Sequence, residues 1–302
     1  MFDVPILIIN FNRPAKTKKI LEILKVLKPQ RIYFSIDGPR KDKKNDKIKI
    51  NQVKKLIESI SWSCSIKKKI SKKNLGLKFN VINSINWFFN HEIYGIILED
   101  DCIPSLDFFS FSEEMLKRYK KNKKIMQING SNLLNNTSKI KETYFFSKLN
   151  STWGWASWRR AWKKFNLSFK DYEKNIRNKK ILNYYNDKKI FNWIKKYFDA
   201  SISGKDNIWS IYWTYQIFYN DGLIIAPTKN YIDNLGFDGS GTSGEYKKFK
   251  NLITSHKSKK IKIVHPKKIV HNLDLDLSQF KTIKKVDRRA QNIFEKIYYR
   301  FV

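Results

Sequence analysis

Short apolar runs alternate with amphipathic stretches through the first 130 residues of the chain. The apolar runs end at polar stretches and are typical of buried strands. The stretches between them repeat apolar residues with a period near 3.6, which is typical of helices. The predicted bounds are 4–9, 31–36, 63–70 and 94–100 for strands, and 14–27, 45–60 and 77–90 for helices. This alternation predicts an α/β fold, with a mostly parallel sheet flanked by helices.

Three polar stretches directly follow predicted strands: NFNR, IDGPR and EDDC. The carboxyl ends of parallel strands lie along one edge of a sheet, and ligands bind outside that edge. We therefore expect residues 10–13, 36–40 and 99–102 to border one crevice.

After residue 130, Trp and Tyr recur at helical spacing, mainly in the segments 152–162, 191–198 and 208–219. This spacing predicts helices and loops that cap the crevice, with most of the rings packed in the core. The glycine of Trp153-Gly154-Trp155 instead predicts a loop that cannot bury both rings.

Charge is the unusual feature of the composition. Lys and Arg total 61 against 27 Asp and Glu, a formal net charge of +34, whereas 41% hydrophobic content is that of a folded protein. This charge favours an anionic partner, although a uniform Lys/Ile/Asn bias would give the same total. The basic residues form short scattered clusters without a nucleic-acid-binding signature, so nucleic acid is the weaker prediction.

Two cysteines, Cys64 and Cys102, are too few for a disulfide framework or a zinc cluster, and they favour a reducing compartment. No apolar run reaches the ~18 residues of a membrane span, and the N-terminal MFDVPILIINF lacks a basic leader. We therefore expect a cytoplasmic protein.

Three consecutive acidic residues, Glu99, Asp100 and Asp101, end an apolar run. Their mutual repulsion calls for a positive partner. A divalent cation held by one or two carboxylates and by diphosphate oxygens would meet that need, and it would stabilise a leaving diphosphate. The structural alternative is a helix cap, a role that Ser105 or Asp107 could fill here.

Several segments match those of a known family in their order along the chain. The triplet lies in IILEDDCIPSLDFFSFSEEML, and the other segments are PILIINFNRP, YFSIDGPR, IMQINGSN, LNSTWGWASWRRAW and GLIIAPTKNYIDNLGFDGSGTSG. Together they resemble N-acetylglucosaminyltransferase I and related bacterial sugar transferases, which have the Rossmann-like GT-A fold. The resemblance covers about residues 4–244 and depends on the ordered set.

The resemblance implies that Asp101 ligates Mn²⁺ or Mg²⁺, while Glu99 and Asp100 face the ribose and diphosphate of a sugar nucleotide. It also implies that Arg13 and Asp37 contact the base. An arginine fork after an apolar strand suits a planar partner. Asp37 stands in a tight turn and has an equal interpretation as a turn former.

Two further candidates concern the phosphate and the acceptor. Lys78, which follows the turn 74–76, is a weaker phosphate candidate, and a solvated lysine is the alternative. Trp153 or Trp155 would stack against the acceptor sugar, because sugar C–H faces pack on aromatic rings.

The chain departs from the family at the catalytic base. A positioned carboxylate usually takes the acceptor proton, but Ser210 and Ile211 stand at the places where the family is acidic. Asp206 is the candidate base, with a helix cap as its alternative role. Asp238 and Glu245 are further possibilities.

Histidines and Cys102 add little to this site. His265 or His271 could complete a metal shell, but a hydrogen-bonded structural histidine is the favoured interpretation. A hard, oxygen-bound ion gives no reason to prefer Cys102 as a ligand.

The resulting hypothesis is a metal-dependent glycosyltransferase that moves a sugar from a nucleoside diphosphate, with UDP favoured, to a hydroxyl of a glycan or lipid-linked glycan in bacterial surface polysaccharide synthesis. Residues 1–130 would bind the sugar nucleotide, 131–245 would bind the acceptor and catalyse transfer, and 246–302 would be a basic C-terminal extension. The basic surface and a helix predicted over 286–302 would attach the protein loosely to the anionic inner face of the inner membrane.

Two other classes stay open. A nucleotidyltransferase also uses a parallel sheet and a metal-bound aspartate, but it would carry a Gly-rich phosphate loop, and NFNRPAK has no glycine. A non-catalytic nucleic-acid- or glycan-binding protein would account for the missing carboxylate near Trp209, and it predicts steeply salt-dependent DNA binding.

Overall fold

The computed structural model describes residues 2–134, 137, 140–237 and 262–284. Its strands are β1 (Ile6–Asn10), β2 (Arg31–Ile36), β3 (Ser65–Ile70), β4 (Tyr94–Glu99), β5 (Cys102–Pro104), β6 (Ile125–Asn129), β7 (Tyr144–Ser147), β8 (Trp155–Trp158), β9 (Leu223–Pro227) and β10 (Ile232–Asn234). Its helices are α1 (Pro14–Leu27), α2 (Lys44–Glu58), α3 (Gly76–His91), α4 (Leu106–Arg118), α5 (Arg159–Trp162), α6 (Tyr172–Arg177), α7 (Lys180–Tyr185), α8 (Lys188–Ile202) and α9 (Trp209–Tyr219), with a 3₁₀ turn at Leu235–Phe237 and a helical stretch over 273–284. None of the helices that the structure describes is long and apolar enough to cross a membrane.

Within the described ranges, the main sheet has eight strands in the order β3-β2-β1-β4-β8-β6-β9-β7. β1 is parallel to β2 and β4, β2 to β3, and β6 to β9. Only β8 and β7 run the other way, each antiparallel to its neighbours. The predicted α/β fold with a mostly parallel, Rossmann-like sheet is therefore confirmed.

The alternating elements predicted for the first half are confirmed too. β2 has the predicted bounds, and α1 begins at Pro14, whose missing amide donor has no partner to lose in a first turn. Ile20, Leu21 and Leu24 form the buried face of α1. Local periodicity is sufficient here because each of these helices buries one stripe against the sheet.

The main sheet is covered on both faces. Ile6 and Ile8 of β1 pack in the cluster with α1, α2 and α4, whereas Leu7 and Ile9 pack in the cluster with α3, α5 and α9. Successive side chains of a strand point to opposite faces. A strand buried on both sides therefore has a continuous apolar sequence rather than an alternating one.

The segment 152–162 differs from its prediction. Aromatic spacing there predicts helices and loops, but strand β8 occupies its centre, inside the main sheet, so the prediction is wrong at that point. Gly154 enters β8 with φ +58°, and a Cβ atom at this position would lie 2.5 Å from Ile232 Cδ1. Glycine is required both by the left-handed backbone and by the close packing.

A second, two-stranded sheet brings a distant segment to the acidic triplet. β5 pairs antiparallel with β10, with Cys102 opposite Asn234. Just beyond the pairing, the Leu235 amide donates to the Asp101 carbonyl oxygen at 2.8 Å. The segment after β10 therefore forms part of the wall around the triplet.

The described part of the predicted basic extension, 262–284, packs against β7. His271 forms a bridge with Phe146, and Asp276 accepts a hydrogen bond from Ser147 Oγ at 2.5 Å. This stretch is thus attached to the edge of the main sheet. The three-part division of the chain stays a prediction, and the predicted helix over 286–302 lies outside the described residues.

Candidate functional site

The acidic triplet lies at the carboxyl end of β4, beside the carboxyl end of the parallel strand β1. Arg13 follows β1 and immediately precedes α1. Its Nη1 donates to Asp100 Oδ1 at 2.8 Å and to Asp101 Oδ2 at 2.9 Å. The positive partner expected for the triplet is therefore a guanidinium from the neighbouring strand. The contact of Arg13 with a nucleobase stays a prediction.

Asp100 is the most enclosed of the three carboxylates, at 4% exposed. Its second oxygen accepts from the Phe11 amide at 3.0 Å. Burial raises the pKa of Asp100, and the attraction of Arg13 opposes that rise. Because both oxygens are bonded within the protein, Asp100 holds the loop after β1 and orients Arg13.

One guanidinium does not balance three carboxylates. Burial, with repulsion from Asp101 and Asp100, raises the pKa of Glu99 to about 8. In the described ranges, no three His, Cys, Asp or Glu side chains group into a complete metal site. Metal binding by Asp101 therefore stays a prediction, as do the contacts of Glu99 and Asp100 with the ribose and diphosphate.

The histidines considered as metal ligands are engaged elsewhere. His265 Nδ1 lies 2.9 Å from Tyr144 Oη, and His271 Nε2 lies 2.8 Å from Asp276 Oδ2. Their interpretation as hydrogen-bonded structural residues is confirmed. Cys102 is buried beside the triplet, and this burial raises the pKa of its thiol well above its usual value. The cap predicted for α4 is Ser105, which accepts from the Phe108 amide.

Two residues missed in the sequence close the triplet from the other side. Lys16 lies in the first turn of α1, and its Nζ donates to the Leu235 carbonyl oxygen at 2.7 Å. A Cβ atom at Gly236 would lie 2.6 Å from Asp101 Oδ2. The signals that could have found them were a lysine three residues after Arg13 and the Asn-x-Gly-Phe turn.

Asp46, also missed, joins the loops after β1 and β2. Its Oδ1 accepts from Asn12 Nδ2 at 2.6 Å, and its Oδ2 accepts from Arg40 Nε at 2.7 Å. The hydrogen bonds from Arg40 lower the pKa of Asp46 to about 2, against the opposing effect of burial. No sequence signal marks this pair, because acidic and basic residues near it are common.

Asp37 is buried at the carboxyl end of β2 and links two loops. Its Oδ1 accepts from the amides of Gly38 at 2.8 Å and Leu75 at 2.9 Å, and its Oδ2 accepts from Asn74 Nδ2 at 3.1 Å. Burial raises its pKa, and the amide hydrogen bonds oppose the rise. These bonds support the turn-forming interpretation, while the contact of Asp37 with the nucleobase stays a prediction.

Lys78 is half-buried rather than solvated. Its Nζ lies 4.2 Å from the centre of the Tyr212 ring on α9, a cation–π contact. The contact brings the first turn of α3 against α9. The predicted role of Lys78 in phosphate binding stays a prediction.

The two tryptophans around Gly154 have different environments. Trp155 is 1% exposed, with ring centroids 6.2 Å from Trp209 and 6.3 Å from Trp213. Its predicted stacking against an acceptor sugar is wrong, because the ring is enclosed by the core. Trp153 is half-buried and keeps its candidacy. The expectation that this loop cannot bury both rings is confirmed.

Ser210 and Ile211 line a cavity of about 160 Å³, with Asn150 and Thr152 among the other lining residues. Thr214 Oγ1 donates to Asn150 Oδ1 across one wall at 2.8 Å. No carboxylate belongs to the described lining. The described lining therefore offers hydroxyl and amide groups but no carboxylate that could act as the base.

Asp206 lies half-buried in the loop between α8 and α9. It caps neither helix, since Asp187 caps α8 and α9 has no side-chain cap. The next helix starts at Trp209, which stacks on Trp155 near the carboxyl ends of β4 and β6. Asp206 therefore belongs to the loops at the same edge of the sheet as the triplet. The alternative candidates Asp238 and Glu245 lie outside the described residues.

No family model and no curated protein sequence matches this chain. Among solved structures, it is similar to a cytidylyltransferase from Leptospira borgpetersenii serovar Hardjo-bovis (strain JB197), with TM-score 0.32 and 11% identity over 54% of this chain and 63% of that chain. It is also similar to a UDP-glucose pyrophosphorylase complexed with UDP-glucose, with TM-score 0.27 and 10% identity over 48% and 62% of the two chains. The chain thus spans slightly under two thirds of the length of each. Likenesses this weak assign neither a family nor an activity.

Proposed function

We propose that the protein is a metal-dependent glycosyltransferase of the GT-A type. It moves a sugar from a nucleoside diphosphate, with a UDP-sugar favoured, to a hydroxyl of a glycan or lipid-linked glycan. The single observation that carries the proposal is the ion-paired cluster of Arg13, Asp100 and Asp101, with Glu99 beside it, at the carboxyl ends of β1 and β4.

The position of the cluster in the sheet supports nucleotide binding. The strand order β3-β2-β1-β4 builds the sheet to one side of β1 and then to the other, so the order reverses between β1 and β4. In open α/β sheets, nucleotides bind outside the carboxyl ends of the strands at this switch point. Arg13 and the acidic triplet lie on its two sides.

The charges suit a diphosphate donor together with a cation. A bound Mn²⁺ or Mg²⁺ would neutralise the diphosphate and stabilise it as the leaving group. Asp101 would hold the ion and Glu99 would face the ribose and diphosphate. Arg13 would remain paired with Asp100, and Lys16 and Gly236 would close the site. Asp206 is the proposed base for the acceptor hydroxyl, and Trp153 the proposed stacking surface.

The first test is a thermal-shift panel of nucleoside diphosphates and UDP-sugars, with and without Mn²⁺, on the wild type and on Asp101→Asn. Selective binding raises apparent stability by ~2.7 kcal/mol at a ligand concentration 100 times Kd. We expect a shift with a uridine nucleotide that requires the metal and disappears in Asp101→Asn. Glu113→Gln is the matched control, because it removes one carboxylate from an exposed pair on α4.

Product analysis separates the three classes. Release of a nucleoside diphosphate from a sugar nucleotide supports transfer or hydrolysis by a glycosyltransferase, whereas release of pyrophosphate from a nucleoside triphosphate would identify a nucleotidyltransferase. Absence of any nucleotide-dependent shift, together with salt-dependent DNA binding, would replace the proposal with the non-catalytic class.

A further inference from the structure

Four large apolar side chains project from the loops at one end of the crevice edge. Leu77 is 55% exposed and Phe79 52% exposed in the first turn of α3, and Leu75 just before them and Ile208 just before α9 are each 38% exposed. We call these four residues the apolar rim. Exposed apolar side chains grouped in space, rather than scattered singly, mark interaction surfaces.

The two parts of the apolar rim are adjacent in space. Lys78 on α3 contacts the ring of Tyr212 on α9, and Ile208 lies four residues before Tyr212, about one helical turn away. Leu77 and Phe79 flank Lys78 in sequence. The first turn of α3, which carries Leu77 and Phe79, therefore lies next to the start of α9, which follows Ile208.

The loop that carries the apolar rim is held rigidly. Buried Asp37 bonds the Leu75 amide and the Asn74 side chain, and Asn74 Nδ2 also donates to the Gly38 carbonyl oxygen at 2.9 Å. A Cβ atom at Gly38 would lie 2.4 Å from the Lys73 carbonyl carbon, so the two loops touch. The backbone at Leu75 is thus fixed by a buried carboxylate.

The charge around the apolar rim has one sign. Between Glu58 and Glu92 the chain has six lysines and no acidic residue. Two of them, Lys72 and Lys73, are exposed next to Leu75 and pair with no acidic side chain in the described part of the chain. Across the surface, Lys205 is exposed in the loop before Ile208, with Asp206 beside it as the acidic neighbour.

We propose that the apolar rim docks on an anionic lipid surface, with Leu77 and Phe79 inserted below the headgroups and Lys72 and Lys73 against them. Apolar side chains enter the boundary between headgroups and acyl chains, and each Lys near an anionic surface is attracted to it. The charge complementarity selects this partner over a second copy of the chain, because two such lysine-rich surfaces would repel each other.

The orientation has a consequence that rests on the proposed function. α3 follows the carboxyl end of β3, so the apolar rim lies along the same edge of the main sheet as Arg13 and the triplet. Docking through the rim therefore places the donor site close to the lipid surface. A lipid-linked glycan held in that surface is the acceptor that this geometry favours.

The test is co-sedimentation of the full chain with phosphatidylglycerol:phosphatidylcholine vesicles and with pure phosphatidylcholine vesicles. We expect binding to the anionic vesicles alone, with a loss of about tenfold or more in Leu77→Ser/Phe79→Ser and in Lys72→Glu/Lys73→Glu. The matched control is Val26→Ser/Ile48→Ser, which removes two even more exposed apolar side chains from α1 and α2 and should bind like the wild type.

Each outcome decides between surfaces. Unchanged vesicle binding in Leu77→Ser/Phe79→Ser, or an equal loss in the control, would overturn the rim as the docking site. If vesicle binding were lost only in Lys72→Glu/Lys73→Glu, the surface would bind lipid through its positive charge alone, and the insertion of Leu77 and Phe79 would be contradicted. Because the vesicle assay contains no nucleotide, failure here leaves the thermal-shift result at Asp101 intact, and failure at Asp101 leaves the docking result intact.

Discussion

Two regions along the same edge of the main sheet use their side chains in opposite ways. At the ends of β1 and β4, Arg13 pairs with the acidic triplet, where Asp100 is buried while Arg13 and Asp101 are partly exposed. One strand further on, Trp155 of β8 lies opposite Ile97 and packs into a cluster of tryptophan rings. The first region keeps unbalanced charge, whereas the second buries its large rings. The comparison teaches that charged and core-packed side chains are separated along this edge.

Truncation of the buried tryptophan should have the largest effect. We expect Trp155→Ala to lower the free energy of unfolding by about 3–5 kcal/mol, because it removes a fully enclosed ring. Trp153→Ala, at a half-buried position across Gly154, should cost about 1–2 kcal/mol. Urea denaturation of both variants measures the difference. Equal losses of stability in the two variants would contradict the difference in burial between Trp155 and Trp153.

Removal of the guanidinium should come next. Arg13→Ala leaves Asp100 buried with a charge and without its ion-pair partner, so we expect a loss of about 2–3 kcal/mol in urea denaturation. Arg31→Ala breaks more exposed pairs, with Glu92 and Asp3, and should cost about 1 kcal/mol or less. A wild-type stability in Arg13→Ala would show that the charged region does not depend on this pair.

The Arg40–Asp46 pair predicts an acid-sensitive contribution. The pKa of Asp46 is lowered from 3.8 to about 2, so its stabilising effect is complete above the unfolded value and disappears as the pH falls towards 2. Allowing for the half-exposed Arg40, the effect is about 1–2 kcal/mol. Asp46→Asn should flatten the stability profile between pH 5 and pH 2 by about this amount. If the free energy of unfolding of Asp46→Asn depended on pH between 5 and 2 as that of the wild type does, the Arg40–Asp46 pairing would be contradicted.

The smallest expected effect separates binding from stability. Gly236→Ala would press a methyl group on Asp101 Oδ2. We therefore expect about tenfold weaker metal-dependent nucleotide binding, seen as a smaller thermal shift, and a free energy of unfolding lowered by about 1 kcal/mol. Gly204→Ala, in a left-handed position with open space around it, should cost similar stability and leave nucleotide binding unchanged. Equal nucleotide binding in both variants would remove Gly236 from the site.

Prediction from the sequence succeeded where an element depends on its own residues. β2 and α1 were placed to within a residue because burial stripes and Pro14 act locally. The triplet was also visible, since three adjacent acidic residues after an apolar run are unusual whatever surrounds them. β8 was missed because a four-residue aromatic strand and an aromatic helix have the same composition, and pairing with β4 and β6 decides between them.

By itself, the sequence determined the alternation of strands and helices, the edge at which polar loops collect, and the need for positive charge beside Glu99, Asp100 and Asp101. Tertiary structure alone decided that Arg13 meets that need, that Gly236 closes on Asp101 and that Trp155 is enclosed. The physical reason is distance along the chain. Periodicity reports what one element buries, whereas ion pairs and close approaches between remote loops are fixed by the order of strands in the sheet.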